Sequence, residues 1–328
     1  LNTVADTSRG LIARRVFTEA DAKQGLQALV DALMKGQGEA TGMAIANQLL
    51  RHYQLLDRDM RVVFFKYLGE VLKPDPDEVK AAVAAYEAEP SDANLLRLQE
   101  AVDSPRQEFF RRLNMAPGAT AQIVQMRKEL LDFIREEPSL QPIDRDLFHL
   151  LQSWFNRGFL VLRRIDWQTP ASILEKIIEY EAVHEIDGWD DLRRRLNPAD
   201  RRCFGFFHPS LIDEPLIFVE VALTDHVAED IQSLLAPAAP TKADGPLPTT
   251  AVFYSISNCQ DGLRGVSFGN FLIKQVVDEL KKEFDSLKTF VTLSPVPRFA
   301  GWLEAVSYTH LTLPTTLNSW GGGGGGGG

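Results

Sequence analysis

Cysteine is nearly absent: Cys203 and Cys259 are the two in 328 residues. A disulfide framework is excluded, and the chain reads as intracellular. Neither a CxxC pair nor an HExxH motif occurs, so a zinc site has no sequence support and no metal is expected. No apolar run approaches the ~20 residues that span a bilayer. Residues 1–15 include Asp6 and no sustained apolar stretch, which excludes a secretory signal there, and a cytoplasmic location is expected. The chain opens on Leu1 rather than Met, and further sequence before it is expected. Excess positive charge is missing too. A net charge of −10 argues against a general nucleic-acid binder, although a local basic site for an anionic ligand fits on an acidic protein. What remains, 45% hydrophobic and 24% charged residues, is the composition of a globular protein long enough for two cored domains.

Three regions differ in pattern. From residue 10 to about 155, apolar residues recur at intervals of three and four, which predicts helices throughout. One stripe is Met60, Val63, Phe64, Tyr67, Leu68, Val71 and Leu72, ended by Lys73-Pro74. A helix follows Pro76, with Val79, Ala82, Val83 and Tyr86 on one side. Ser91-Asp92 caps another that carries Leu95, Leu96, Leu98 and Val102. Ser104-Pro105 starts a helix with Phe109, Phe110 and Leu113, and a longer one carries Ile123, Met126, Leu130, Leu131 and Ile134. Asp146 is expected to open the last, through Leu147, Leu150, Leu151 and Phe155. No catalytic constellation is visible in this stretch.

From 156 to 306 strands and helices alternate. Strands are predicted over 158–165, 203–208, 215–223 and 250–257, with a buried one at 289–293. Helices are predicted after Thr169-Pro170, after Asp225, and from Gly269 to Phe284 with Phe271, Leu272, Val276 and Leu280 inward. The four prolines within 236–250 mark a loop. Residues 307–328 fit neither pattern. Their Thr-Leu-Pro-Thr-Thr run and terminal glycine octet bury little and carry maximal backbone entropy. They are read as a non-native tail and set aside.

The stretch that carries chemistry is strand, loop, helix, strand. The loop Gln260 to Asn270 directly precedes a helix N-terminus, where backbone N–H groups lack partners and the helix dipole favours negative charge. Its glycines permit close backbone approach to a pyrophosphate, and Arg264 adds a charged donor. The bare pattern is shared by purely structural strand-to-helix turns. The loop resembles the coenzyme A-binding motif of the GCN5-related acetyltransferase superfamily, Gln/Arg-x-x-Gly-x-Gly/Ala. Arg264 opens it and Gly269 closes it, with Ser267 where the middle glycine is usual. Candidate binding residues are thus Arg264, Gly265, Val266, Ser267, Phe268, Gly269 and Asn270.

A wider set of segments, Phe253-Tyr-Ser-Ile-Ser257, Gly262-Leu-Arg-Gly265, Gly269-Asn-Phe-Leu-Ile-Lys274, Val277-Asp-Glu-Leu280 and Leu293-Ser-Pro-Val-Pro297 with Phe299 and Trp302, resembles the malonyl-CoA decarboxylase family. Phe64-Phe-Lys66 and Glu108-Phe-Phe-Arg-Arg-Leu113 are similar to its helical N-terminal domain. The resemblance covers about residues 10–305. It implies an α+β two-domain architecture: a helical oligomerisation domain (1–155), then an acetyltransferase-like α/β catalytic domain with a central mixed sheet (156–306), incomplete here before the tail (307–328). It implies malonyl-CoA as the ligand, acetyl-CoA and CO2 as products, no further cofactor and a homo-oligomer; eukaryotic relatives are targeted to organelles. The family's catalytic serine, in its Leu-Ser-Pro segment, falls at Ser294. Its histidine falls beyond the matching sequence, so this chain by itself is expected to be inactive. His184, His208 and His226 read as structural or exposed, and both cysteines lack a histidine partner by motif. An acyl-CoA-dependent N-acyltransferase and a non-catalytic coenzyme A-binding oligomerisation fragment are the alternatives.

Overall fold

The computed structural model describes residues 19–303 apart from 37, 237–246, 269–270, 295–297 and 300, together with residue 306. Eight α-helices come first: α1 (Glu19–Met34), α2 (Glu39–Gln54), α3 (Arg58–Val71), α4 (Pro76–Ala88), α5 (Asp92–Val102), α6 (Pro105–Leu113), α7 (Ala119–Phe133) and α8 (Gln141–Trp154). Their starts follow capping chemistry. The side chains of Asp57, Ser91 and Ser104 accept N–H groups of the first turns of α3, α5 and α6, and prolines stand in the first turns of α4, α6 and α8. Proline also explains why α8 begins at Gln141 rather than Asp146. A 3₁₀ turn at Pro138–Leu140 leads into it, and Pro142 is preset for helical φ. No strand occurs before residue 161 among the described residues.

The helical core is built from Phe65, Leu68, Phe109, Phe110, Leu113, Ile123, Leu130 and Leu147, all fully buried. On α3 the buried stripe is Met60, Phe64, Phe65 and Leu68. Phe65 replaces Val71, which is exposed, in the face read from the sequence, because the neighbouring helices meet α3 at the 60–64–68 row. The hairpin α4–α5 departs further from expectation. Among described residues α4 buries nothing and α5 only Asn94. The Asn94 amide donates to the carbonyls of Ala85 (3.2 Å) and Glu89 (2.9 Å) and ties the two helices together, while Val83, Leu95, Leu96 and Val102 remain exposed.

The second half holds a five-stranded mixed sheet of β1 (Val161–Ile165), β2 (Arg201–Phe207), β3 (Pro215–Thr224), β4 (Thr250–Asn258) and β5 (Thr289–Thr292) in sequence order. The first three pairings are antiparallel and β4–β5 is parallel, the crossover being α12 (Phe271–Glu283). Between β1 and β2 lie α9 (Ala171–Tyr180) and α10 (Gly188–Leu196), and α11 (Ile231–Leu235) follows β3. Helix α10 has no counterpart in the sequence reading. The cap of α11 is Asp230, whose side chain accepts the Ser233 N–H, not Asp225. β5 is half exposed rather than buried, being the last strand in the sheet order.

One face of the sheet carries α12 through Leu272, Val276 and Leu280, and the same apolar cluster takes in Val124 of α7, Leu151 of α8 and Phe155. The helical layer therefore packs directly against the sheet and the loop that follows β4. The opposite face is covered by α9 and α10 through Ile173, Leu174, Ile177, Leu192 and Leu196.

Candidate active site

The site is organised by β4. It pairs with β3 over its whole length, Thr224↔Thr250 to Ile217↔Asn258. Its pairing with β5 begins at Thr250↔Thr289 and stops at Phe253↔Thr292, with one more bond from the Leu293 N–H to the Phe253 carbonyl at 2.8 Å. There the register slips. Glu220 opposes Ser255 and Val221 opposes Phe253, so Tyr254 is an extra residue in β4. A bulge of this kind bends its strand and raises the local twist. The parallel ladder ends at the bulge, and between Tyr254 and Asn258 the β5-facing edge of β4 is not part of a ladder among the described residues.

Buried polar groups hold the bulge from beneath. Burial and the neighbouring Glu220, a fully buried carboxyl on β3, push the Tyr254 hydroxyl well above its ordinary range. Glu220 Oε2 accepts from Arg195 Nη1 (3.2 Å). Arg195 donates to the carbonyls of His184 (2.8 Å) and Glu185 (2.7 Å) and to Asp191 (3.1 Å). Burial pushes the Glu220 carboxyl up to about 7 against the pull of Arg195. One residue further, Ser255 Oγ donates to the Glu181 carboxylate (2.8 Å) and Ser257 Oγ does so at 3.1 Å. Glu181 also accepts the N–H groups of Val183 (2.9 Å) and His184 (2.8 Å). One signal of this network is visible in the sequence: Glu220 is a lone charge inside an apolar strand. The role of Arg195 carried none, because its partner lies on a different element.

Beyond β4 the chain is pinned to the start of β3. The Cys259 N–H donates to Leu216 O at 2.9 Å, and Gln260 Nε2 donates to Pro215 O at 3.2 Å. A 3₁₀ turn at Asp261–Leu263 then lies on α7 so closely that a Cβ on Gly262 would fall 1.9 Å from the Val124 carbonyl oxygen. Leu263, Val266 and Phe268 plug into the shared apolar cluster, leaving Arg264, Gly265 and Ser267 exposed. The Arg264 guanidinium stands 3.6 Å from Asp261 in an exposed pair. Gly269 and Asn270 lie outside the described residues, and α12 begins at Phe271.

Ser294 follows β5 at the point where that strand leaves β4. It is exposed, and its hydroxyl makes no hydrogen bond among the described residues. The glycine loop and Ser294 thus stand at opposite ends of the β4 stretch that no ladder pairs on the β5 side among the described residues. Tyr254 to Asn258 spans roughly 13 Å at ~3.3 Å per strand residue. The cysteines lie elsewhere. Both are buried free thiols, and burial pushes each well above the ordinary thiol range, which rules out a resting thiolate. The His208 ring packs at 4.7 Å on Phe155 and accepts the Ser210 N–H at 3.1 Å, a structural placement in line with its expected role. Among the described residues no group of three or more potential metal ligands converges, and no helix is long and apolar enough to cross a membrane.

Comparison with known proteins bears on this arrangement directly. The family model described as the malonyl-CoA decarboxylase N-terminal domain matches residues 72–155, and that of the malonyl-CoA decarboxylase C-terminal domain matches 158–317. The crystal structure of malonyl-CoA decarboxylase from Rhodopseudomonas palustris is 52% identical, with a TM-score of 0.80 over 90% of this chain and 71% of that one. The chain belongs to the malonyl-CoA decarboxylase family. The family member from Agrobacterium vitis is 49% identical, with a TM-score of 0.82 over 89% of this chain and 71% of that one. The mitochondrial malonyl-CoA decarboxylase of Mus musculus is 40% identical over 212 residues, 63% of this chain and 43% of that protein. The chain therefore spans less than half the length of that curated relative. A helical region followed by an α/β domain with a mixed sheet, expected from the family resemblance, is the architecture found.

Proposed function

We propose that this chain supplies the coenzyme A-binding part of a malonyl-CoA decarboxylase, with the thioester drawn along β4 from the glycine loop to Ser294. The observation that carries this reading is the parting of β4 and β5 at Tyr254. It leaves a strand edge whose N–H and C=O groups suit the amides of a pantetheine arm, as an added strand would. The pyrophosphate would lie on the backbone between Arg264 and Asn270, at the start of α12, where unpaired amides and the helix dipole favour an anion. Malonyl-CoA and acetyl-CoA are substrate and product, with no separate cofactor. Breaking the bond to the carboxylate releases CO2 and leaves the electron pair on an enolate, which is then protonated. Ser294, placed near the acyl end, would donate a hydrogen bond to the thioester oxygen or deliver that proton. A homo-oligomer formed through the helical region, and a cytoplasmic location, belong to the same proposal. The exposed apolar side chains of α4 and α5 support the first and the two free thiols accord with the second.

Incubation of a protein that spans the relatives' full length with malonyl-CoA tests the reading: CO2 and acetyl-CoA are expected without any amine, whereas amine-dependent release of free coenzyme A would assign the site to acyl transfer instead. Binding gives a second check. Arg264→Glu is expected to weaken coenzyme A by roughly 1–3 kcal/mol, the scale of a charge-assisted hydrogen bond lost and a repulsion gained. Unchanged affinity in a calorimetric titration counts against this placement of the pyrophosphate.

A further inference from the structure

We infer that Arg127, on α7 of the helical layer, is a positioning residue for the anion site: it fixes the orientation of the Arg264–Gly265 peptide so that the Gly265 N–H faces the ligand. The inference rests on the reading of the glycine loop as the pyrophosphate site.

Arg127 is buried. Its Nε donates to Asp144 Oδ1 at 2.8 Å. Its Nη1 donates to two carbonyls of the loop, Gly262 O at 2.7 Å and Arg264 O at 3.0 Å. The guanidinium also lies over the Phe148 ring, 5.2 Å from its centroid. Besides its ion pair with Asp144, an arginine that donates to main-chain carbonyls 135 and 137 positions away in sequence fixes a backbone conformation.

That conformation is a type II turn over 263–266. Arg264 has φ −52° and ψ 128°, Gly265 has φ +86°, and the Val266 N–H donates to Leu263 O at 2.9 Å. The positive φ is one that glycine adopts without steric cost. The central peptide of such a turn has two orientations related by a flip of about 180°, the type II and type I forms. Because a trans peptide is planar, its C=O and N–H point opposite ways. With the Arg264 carbonyl held inward by Arg127, the Gly265 N–H points outward. Among the described residues that N–H takes no backbone carbonyl, and Gly265 is exposed. Its inner side rests on Phe148, whose Cε2 would lie 3.3 Å from a Cβ there. In the flipped turn a carbonyl oxygen would face the anion instead. Arg127 thus sets the sign of the dipole that the loop presents. The helical layer becomes part of the binding site without touching the ligand.

The test is a calorimetric titration of coenzyme A into the wild-type chain and into the Arg127→Met, Arg127→Lys, Asp144→Asn and Arg264→Glu variants, with the melting temperature of each. Arg127→Met is expected to raise Kd about 10–100-fold, the range for losing an oriented donor to a charged group. Arg127→Lys, which keeps a donor for the carbonyls, should recover part of that. A merely structural arginine would lower the melting temperature and leave Kd of the folded protein unchanged, and that result overturns the inference. If Arg127→Met does not fold, Asp144→Asn decides. It loosens the Nε tether while keeping the arginine, and a several-fold rise in Kd supports the inference whereas no change sinks it. Weakening by Arg264→Glu with full affinity in the Arg127 variants overturns the positioning role and spares the loop as the anion site. Full affinity in Arg264→Glu removes the site reading, and the inference with it.

Discussion

Ser294→Ala is expected to lower malonyl-CoA turnover by about 10² to 10⁴, the usual cost of removing one positioned hydrogen-bonding or proton-transfer group, while coenzyme A affinity stays nearly intact. The separation follows from the strand edge. The loop that would hold the pyrophosphate follows Asn258, and Ser294 stands where β5 parts from β4 beside Tyr254. A contact made only at the acyl end in the transition state lowers kcat and kcat/KM together. The measurement belongs in a protein that spans the relatives' full length, because this chain covers 71% of the Rhodopseudomonas palustris enzyme and 43% of the Mus musculus one. Arg264→Glu should show the reverse pattern, with binding weakened and the chemical step of bound substrate preserved. A variant at Ser294 that turns over normally would show that the serine is only a turn residue at a strand end.

How far the site could be read beforehand depends on how local its causes are. The helix starts at Ser91 and Ser104 and the alternation of strands after residue 160 were legible because they are decided within a few residues. The glycine loop was legible for the same reason, through its place between a strand and a helix. Which residues turn inward was less legible. Phe65 is buried and Val71 exposed because of where other helices land, which a single periodicity does not report. The α4–α5 hairpin looked like two core-facing amphipathic helices, yet they pack chiefly on each other. Least legible were the contacts that orient the site. Arg127 meets Gly262 and Arg264 across the whole fold, and Arg195 meets Glu220 from a helix the pattern did not reveal. No spacing rule links such pairs, since long-range pairing is set by topology.

The Glu220 network carries the second large expectation, in stability rather than rate. Glu220→Ala is expected to cost roughly 3–5 kcal/mol at pH 8, because it strips one partner from a buried pair and leaves Arg195 with Asp191 as its remaining carboxylate. Glu220→Gln isolates the proton. Burial raises the carboxyl from 4.5 to about 7, so between those values the native state binds a proton that the unfolded chain has released. Stability then falls as pH rises, by up to about 1.4 kcal/mol per pH unit. The contribution is complete below the unfolded value and is lost as pH climbs through about 7. Arg195 favours the carboxylate and Glu181 opposes it, and these partners are the same in the glutamine variant. Denaturant titrations of both proteins between pH 5 and 8 should therefore give similar stabilities near pH 5. Toward pH 8 the wild type should lose ground relative to Glu220→Gln, the glutamine still accepting from Arg195. Parallel pH curves for the two would mean that Glu220 is ionised throughout, as one half of a fixed ion pair beneath the bulge. In that case Glu220→Gln should be less stable than wild type by a constant amount across the range.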